Sequence, residues 1–482
     1  MSSFRVVAPP ILLSVLLPIV LSGPALSQSS SASSSSSNPN PVIPASVQQN
    51  GFTGGVPSGP ATNDVLQISF LDAINRGLKQ NLGLLLSGDN TLAARGARWK
   101  ELSSLLPNFD AKGQEVSQQI SLAEFGFRLP GLPRVVGPFN YLDLRAFLSQ
   151  SVFNWNYIQK ERAATQSLKA AEYTYKDARE LVVLVVGNAY LEAIASAARV
   201  EATEAQVYTA QTLYKRSQDQ LKAGVSPAID ALRSQVELQS RQQQLIVARN
   251  DLEKQKLVVS RVIGLPLGQQ FVLTDKAPYQ DYTPPSIDEC LKRAYASRAD
   301  YQASLAQLRS AELSRRAATA EHYPFFDVEA DYGDVGVNPA TSNGTYHVQG
   351  TLTVPIFEGG KAHADVLQAE AQLRQTRARL DDLRAQIDND VRNALLDLKA
   401  AADQVNVARS NVDLANQTLT QAQDRFIAGV TDNLEVVQAQ ESVASTNESL
   451  ISALYAHNLA KLELARALGN VEQGVRNYLK GN

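Results

Sequence analysis

The sequence predicts a mostly α-helical chain with a membrane β-barrel portion, organised as two tandem repeats. Three observations predict it: the two halves resemble each other, each carries a heptad seam of unusual length, and each holds paired segments of strict two-residue alternation.

The repeat appears when the second half is slid over the first. Pro107 falls on Pro324 and Arg76 on Arg293 at one offset. Leu148 then falls on Leu352 and Phe153 on Phe357 at a shorter one. A nearly constant offset carries Asn188-Ala189 onto Asn393-Ala394, Ala223-Gly224-Val225 onto Ala428-Gly429-Val430, and Gly264 onto Gly469. A longer loop between the strands of the first copy accounts for the change. The first repeat is expected over 65–280, with strands at 108–122 and 139–153, a long helix at 157–223 and a return helix at 227–263. The second is expected over 281–470, with strands at 325–335 and 345–357, a long helix at 361–428 and a return helix at 432–468. Residues 471–482 form a tail.

The seam of the second long helix runs Val366, Ala369, Leu373, Thr376, Leu380, Leu383, Ile387, Val391 and onward to Phe426. Its steps alternate three and four, with one doubled four ending at Val391. The first copy repeats this register from Ala164 to Leu221, its doubled four ending at Val186. Such a pattern is the signature of coiled-coil packing. A helix of about 65 residues is about 100 Å long, and the many seam alanines imply close approach. By itself this describes an ordinary fibrous coiled coil.

The strands add a second requirement. Phe326, Val328, Ala330 and Tyr332 alternate with Asp327, Glu329 and Asp331, and Leu142, Leu144, Ala146 and Leu148 alternate with Tyr141, Asp143, Arg145 and Ser149. Paired alternating segments of this length suit a membrane barrel wall with Asp327, Glu329 and Asp331 towards the lumen. Alternation alone equally suits a soluble sheet with one face on a core. Phe153, Trp155, Tyr323, Phe325 and Phe357 gather where strands meet helices, as an interfacial aromatic belt would. Four strands cannot close a barrel, and open edges are not tolerated in lipid. Membrane insertion therefore demands oligomerisation, and three copies would supply twelve strands.

At the N-terminus Arg5, the apolar run Ile11–Leu21 and the small residues Ser22–Ser27 read as a secretory signal peptide over 1–27, the run being too short to span a bilayer and broken by Pro18. No cysteine lies nearby to carry a lipid. Residues 28–64 are serine-rich and expected to be a disordered leader. No later run of about 18 apolar residues predicts a transmembrane helix.

Composition narrows the chemistry. The 482 residues are 44% hydrophobic and 19% charged, with a net charge of −3, so a basic nucleic-acid footprint is missing. His322, His347, His363 and His457 show no metal-ligand spacing, and Cys290 stands alone. No nucleophile–base pair or phosphate loop stands out. Neither an enzyme nor a cofactor or metal site is expected.

Each long helix ends at a compact turn, with Gly224 and Gly429 as stops, Ser226 and Thr431 as caps, and Pro227 as a first helical residue. Asp230 and Glu435 occupy matching positions one turn into the return helices. They either complement the helix dipole or form a ring of carboxylates around an aperture.

The doubled unit, the Val354-Pro355-Ile356-Phe357-Glu358-Gly359-Gly360 junction, the Arg425-Phe426-Ile427-Ala428-Gly429-Val430 tip and the closing Leu468-Gly469 together resemble the TolC-type outer-membrane efflux proteins. The likeness covers nearly everything after the leader. It implies a homotrimer in the outer membrane of a Gram-negative-type bacterium. A twelve-stranded barrel would continue into a twelve-helix periplasmic tunnel that docks to a periplasmic adaptor and an inner-membrane pump. It also implies that Asp230 and Glu435 are acidic gate residues and Phe426 the aromatic of the aperture network. Gly224, Val225, Gly429 and Val430 would form the adaptor-docking tips. Thr431 stands where a gating arginine can occur and Gln438 where a second acid can, so a charged latch is weakened here. The first-copy junction lacks the Gly359-Gly360 pair, and the apolar loop Phe125–Pro133 has no assigned role beyond the outer rim. The resulting expectation is a passive export channel of an efflux or type I secretion system. Its competitor is a periplasmic coiled-coil adaptor or scaffold, which would typically show one hairpin followed by a small β-domain.

Overall fold

The fold is organised by two helices too long for any globular core. Helix α3 (Trp155–Lys222) has 68 residues and helix α7 (Lys361–Ile427) has 67, each about 100 Å long. Neither contains proline, and Asn154 starts α3 by accepting a hydrogen bond from the Tyr157 amide at 3.2 Å. The computed structural model describes residues 51–122, 135–275, 279–280, 282, 284–431, 433–472 and 474, all within one compact unit beginning at Pro44. The signal-peptide region, most of the serine-rich leader, the Phe125–Pro133 loop and most of the tail lie outside the described residues.

In chain order the elements are β1 (Leu66–Ile68), α1 (Phe70–Gln80), α2 (Leu82–Ser103), β2 (Asn108–Ser121), β3 (Val135–Phe153) and α3. They continue with α4 (Ala228–Val262), β4 (Phe271–Leu273), α5 (Ile287–Ser297), α6 (Ala299–Thr319), β5 (Phe325–Gly336), β6 (Asn343–Thr353), α7 and α8 (Asn433–Ala467). Towards the tips, α4 packs on α3, α3 on α8, and α8 on α7. Towards the strands, α2 takes the flank held by α4, and α6 fills the gap held by α8. The lateral order leaves one face of α2 and α4, and the outer face of α7, without a partner in the protomer.

From Leu373 to Phe426 every buried residue of α7 lies on the heptad seam. Helix α3 departs from its single seam in two ways. Near its start Ala163 and Ala170 are buried rather than the seam residues Ala164 and Ala171. Between Val182 and Ser196 it is buried on most sides, because α1, the short parallel pair β1–β4 and α8 surround it. Gly187 permits this crowding: a Cβ there would lie 2.8 Å from Leu462 Cδ1. The same stretch makes α3 apolar enough over eighteen residues to cross a bilayer by composition, yet 56% of that window is buried inside the unit. It is a core segment. The leader expected over 28–64 also ends earlier than 64. Phe52 is buried in this core, Asn81 Nδ2 donates to its carbonyl, and the Val56 amide donates to Gln80 O at 2.8 Å. An aromatic anchor seats this part of an otherwise polar segment. Val471, the first tail residue, is likewise fully buried.

The four long strands form one antiparallel sheet in the order β2-β3-β5-β6. Strand β6 stops at Thr353, four residues before the expected end at 357, because Pro355 cannot donate to a ladder. Its continuation exposes Ile356 and Phe357 at 94% and 87%. The register sorts the side chains by face. The apolar face is uncovered, with Phe109 76%, Tyr346 79%, Val348 68% and Leu352 65% exposed. A sheet resting on a soluble core would bury these residues.

A charged joint marks where the end of α8 meets the start of α6. Arg466 pairs with Asp177 at 2.5 Å and Glu180 at 3.0 Å, while Arg298 pairs with Asp300 at 2.7 Å and Asp390 at 3.0 Å. Burial pushes the Glu180 carboxyl from 4.5 up to about 7, against the pull of Arg466. The folded protein therefore holds this proton between about pH 4.5 and 7 where the unfolded chain releases it, so the Glu180 contribution to stability falls as pH rises through that window. Glu180→Gln is expected to raise the unfolding temperature by a few degrees at pH 8, on the order of 1–3 kcal/mol, and to give no gain at pH 4.5. Thermal unfolding of the two proteins across pH checks this.

Candidate functional site

Two regions combine exposed functional groups with defined geometry: the hairpin tips and the polar face of the sheet. At the first tip the Gly224 amide donates to Leu221 O at 3.0 Å and the Val225 amide to Gln220 O at 3.0 Å. At the second, Gly429 and Val430 repeat both bonds to Phe426 O and Arg425 O at 3.1 and 3.0 Å. Both are Schellman stops, and both glycines are left-handed, with φ of 70° and 72°. A Cβ at either would meet nothing within 4 Å, so the requirement for glycine is purely conformational. The turns leave Val225 and Val430 exposed at 77% and 69%.

The caps differ from the sequence reading. Pro227, not Ser226, is the cap of α4, and the first helical residue is Ala228. Ser226 Oγ instead donates to Asp230 Oδ2 at 2.8 Å. Thr431 caps nothing among the described residues: its buried hydroxyl has no hydrogen bond, and α8 begins at Asn433.

The expected gate residues occupy distinct environments. Asp230 is 5% exposed, faces Ser226, and has Arg233 at 3.8 Å. Its carboxylate is thus engaged within its own tip. Glu435 is half-buried and pairs with Arg425 at 2.6 Å. Phe426 is buried with Leu213, Ala422, Val436 and Ala439, which joins the two hairpins rather than facing open space in the protomer. Gln438 is exposed.

Asn433 was missed by the sequence reading. It is fully buried, and its Nδ2 donates to Ser234 Oγ at 2.5 Å and Asp230 O at 3.2 Å, both on the first hairpin. Gln440, seven residues on, is 7% exposed. A polar pair at heptad spacing on an otherwise apolar seam was the available indication. Facing them, Ser234 bonds Ser217 at 2.9 Å and Arg241 pairs with Glu237 at 2.6 Å, all four residues buried.

On the sheet, Asp327, Glu329 and Asp331 share one face, as the pairing of Asp331 with Phe147 and Asp327 with Ser151 requires. Arg145 lies on that face, paired with Asp331 and, at 3.2 Å, with Asp143. Lys112 joins it, 4.8 Å from the Phe147 ring. With Asp110 the face carries five acids (Asp110, Asp143, Asp327, Glu329, Asp331) against two bases (Lys112, Arg145), a net of −3 with histidine neutral.

Residues 105–265 and 290–470 match the family described as outer membrane efflux protein. The chain belongs to that family. The pyoverdine export outer membrane protein OpmQ of Pseudomonas aeruginosa is 23% identical over 322 residues, which are 66% of this chain and 67% of that protein. The outer membrane protein TolC of Escherichia coli is 21% identical over 350 residues, 68% of this chain and 69% of that protein. The chain thus spans about two thirds of the length of the curated relatives it matches. The outer membrane protein VceC of Vibrio cholerae superposes with a TM-score of 0.71 at 19% identity, covering 83% of this chain and 96% of that one. The efflux-protein fold accounts for the paired hairpins and for the four-stranded sheet together.

Gly224→Ala and Gly429→Ala force a side chain into the left-handed region at about 1–2 kcal/mol each. Amide hydrogen exchange at Gln220–Val225 and Arg425–Val430 is expected to quicken about fivefold or more. Exchange at Val182–Ser196 should stay unchanged.

Proposed function

We propose that this chain is one protomer of a homotrimeric exit duct in the outer membrane, through which cargo delivered by a periplasmic adaptor and an inner-membrane pump leaves by passive diffusion. The observation that carries the reading is a four-stranded sheet, open on both faces and at both edges, on the same chain as helices about 100 Å long. Edge strands β2 and β6 of neighbouring copies would pair, and three copies would give twelve strands, enough for a hollow barrel. The helices support the same closure. Leu85, Leu92 and Trp99 form an exposed stripe at seven-residue spacing on α2, with Leu106 continuing it, and Ile229, Leu232 and Val236 form one on α4. These flanks would meet the outer face of α7 on the next copy, where Leu396, Val407 and Leu414 are exposed. Such a contact would be head-to-tail, and with a rotation of one third of a turn between copies it would close into a ring of three. OpmQ is named for pyoverdine export. The cargo here would be set by the partner pump.

In this reading the tips narrow the inner mouth. Asp230, Glu435, Thr431 and Gln438 line the approach to it, and Asn433 and Phe426 hold the second hairpin on the first. A periplasmic adaptor would seat on Gly224, Val225, Gly429 and Val430.

Purified protein added to planar bilayers should give discrete conductance steps; a folded oligomer without them would reject the duct and favour the scaffold. Reversal potentials should show mild cation preference from the net −3 of the polar face, and Arg145→Gln, which frees Asp143 and Asp331, should strengthen it. Clear anion preference would sink this assignment. Replacing Asp230 and Glu435 together by alanine should change conductance, or its block by divalent cations, by about twofold or more. An unchanged response would leave both residues as helix-dipole partners.

A further inference from the structure

A cavity of about 330 Å³ lies between α2, the early turns of α3 and the end of α6. Three charged side chains line it from three elements: Glu101 of α2, Lys160 of α3 and Glu321 of the turn after α6. None of the three makes an ion pair among the described residues. Nearby charges outside the cavity do pair, Arg98 with Glu161 and Arg315 with Glu370, each at 3.2 Å. The cavity thus keeps two acids and one base apart.

Glu321 sharpens the case. Asn156 Nδ2 donates to its Oε1 at 3.3 Å, while its Oε2 is buried without a hydrogen bond. A buried carboxylate oxygen without a donor is costly. The wall supplies none from its two bonded serines. Ser310 Oγ donates to Ala163 O at 2.9 Å, so the 2.9 Å bond between Ser167 and Ser310 takes the Ser167 proton. Alanines form much of the remaining wall and offer neither a donor nor the bulk to fill the space.

Two separated acids facing one base suit a zwitterion, and the unmet Oε2 asks that its cation carry N–H groups. Position chooses among zwitterions. Lys160 lies seven residues past the end of β3, about 10 Å along the helix, and Glu321 lies four residues before β5. Trp155 and Tyr323, both exposed, stand close by in sequence. In the duct reading this is the depth of the lipid headgroups, which extend about 5–7 Å beyond the hydrocarbon.

We infer that this cavity binds the phosphoethanolamine headgroup of a membrane lipid. The ammonium donates to Glu321 Oε2 and faces Glu101, and the phosphate pairs with Lys160. The inference rests on the duct reading, which sets the cavity at the membrane, and adds a lipid that the protein selects.

The test titrates the intact oligomer in detergent with phosphatidylethanolamine, phosphatidylcholine and phosphatidylglycerol, and counts bound lipid by native mass spectrometry. Phosphatidylethanolamine should bind about fivefold or more tightly than phosphatidylcholine, which has the same charges without N–H groups, and than phosphatidylglycerol, which has no cation. Glu101→Gln and Lys160→Gln should each weaken it about fivefold, with an unchanged melting temperature certifying the fold. Glu321→Gln keeps an acceptor for Asn156 and should erase the preference for phosphatidylethanolamine over phosphatidylcholine. Equal binding of the three lipids would overturn the inference, as would binding indifferent to both Glu101→Gln and Lys160→Gln. Glycerophosphoethanolamine, the same headgroup without chains, should compete only weakly. Competition at equal concentration would make the ligand a soluble zwitterion and overturn the lipid assignment. Conductance of the same preparation separates the two readings. A conducting channel without lipid preference removes only this inference; a non-conducting oligomer removes the duct.

Discussion

Everything in this architecture turns on the backbone hydrogen bonds at the two edges of one small sheet. Strands β3 and β5 are paired on both sides, whereas β2 and β6 are each paired on one. In water the free edges would be solvated. In hydrocarbon each unmet amide or carbonyl costs several kcal/mol, and an edge of about ten residues leaves about half of its groups unmet. The apolar face of the same sheet, with Tyr346, Val348 and Leu352 exposed, is poorly suited to water. Lipid would satisfy the face and forbid the edges, and the two demands would be met together if edges of several copies paired in a closed ring, as proposed above. The helices would share such a closure, because α3 and α7 continue directly from β3 and from the segment after β6.

The helical part shows where rigidity is concentrated. Midway along α3 the chain gathers its largest apolar cluster, from Phe52 and Phe70 through Val186 and Tyr190 to Leu462 and Val471. Towards the tips the apolar contact thins to Leu213, Ala422, Phe426, Val436 and Ala439, and polar groups occupy core positions at Ser217, Ser234, Asn433 and Gln440. A polar residue at a core position fixes register at some loss of stability. The hairpins are therefore firmly anchored in the middle and weakly joined at their ends, a distribution that would let the ends separate without unfolding the rest.

This contrast explains which parts were legible in the sequence. Seams, glycine stops and alternating strands are local periodicities, and a single chain displays them whatever packs against it. What the sequence could not display depends on neighbours far away in the chain. Phe426 is expected at the aperture from its motif alone, and its packing against Leu213 of the other repeat is visible only in the fold. Asp327, Glu329 and Asp331 read as a purely acidic face until strand pairing brought Arg145 to Asp331. Ser226 looked like a cap by residue type, yet its hydroxyl turns to Asp230. Phe52 could not be told from leader sequence until Gly83 and Asn81 were brought beneath it.

The four left-handed helix stops make the same point within one residue type. Gly224, Gly264, Gly429 and Gly469 have nearly the same φ, between 68° and 72°. At the tips the space beside the glycine is empty. At the other ends it is not: a Cβ on Gly264 would lie 2.5 Å from Gln80 Cβ, and one on Gly469 would lie 2.6 Å from the Arg298 amide nitrogen. Gly264 and Gly469 therefore satisfy two demands, a backbone conformation and the close approach of another helix terminus. The repeats then part company in how each joint is closed. Gly264 packs on Gly55, Val56 and Gln80, with backbone bonds such as the Ser58 amide to Gly264 O at 3.2 Å. Gly469 packs beside Arg298, within a joint of two arginines and four carboxylates, Asp177, Glu180, Asp300 and Asp390. Two halves built on one plan thus close one joint through backbone hydrogen bonds and the other through ion pairs, and the second lies at the root of the hairpin that bears Asn433.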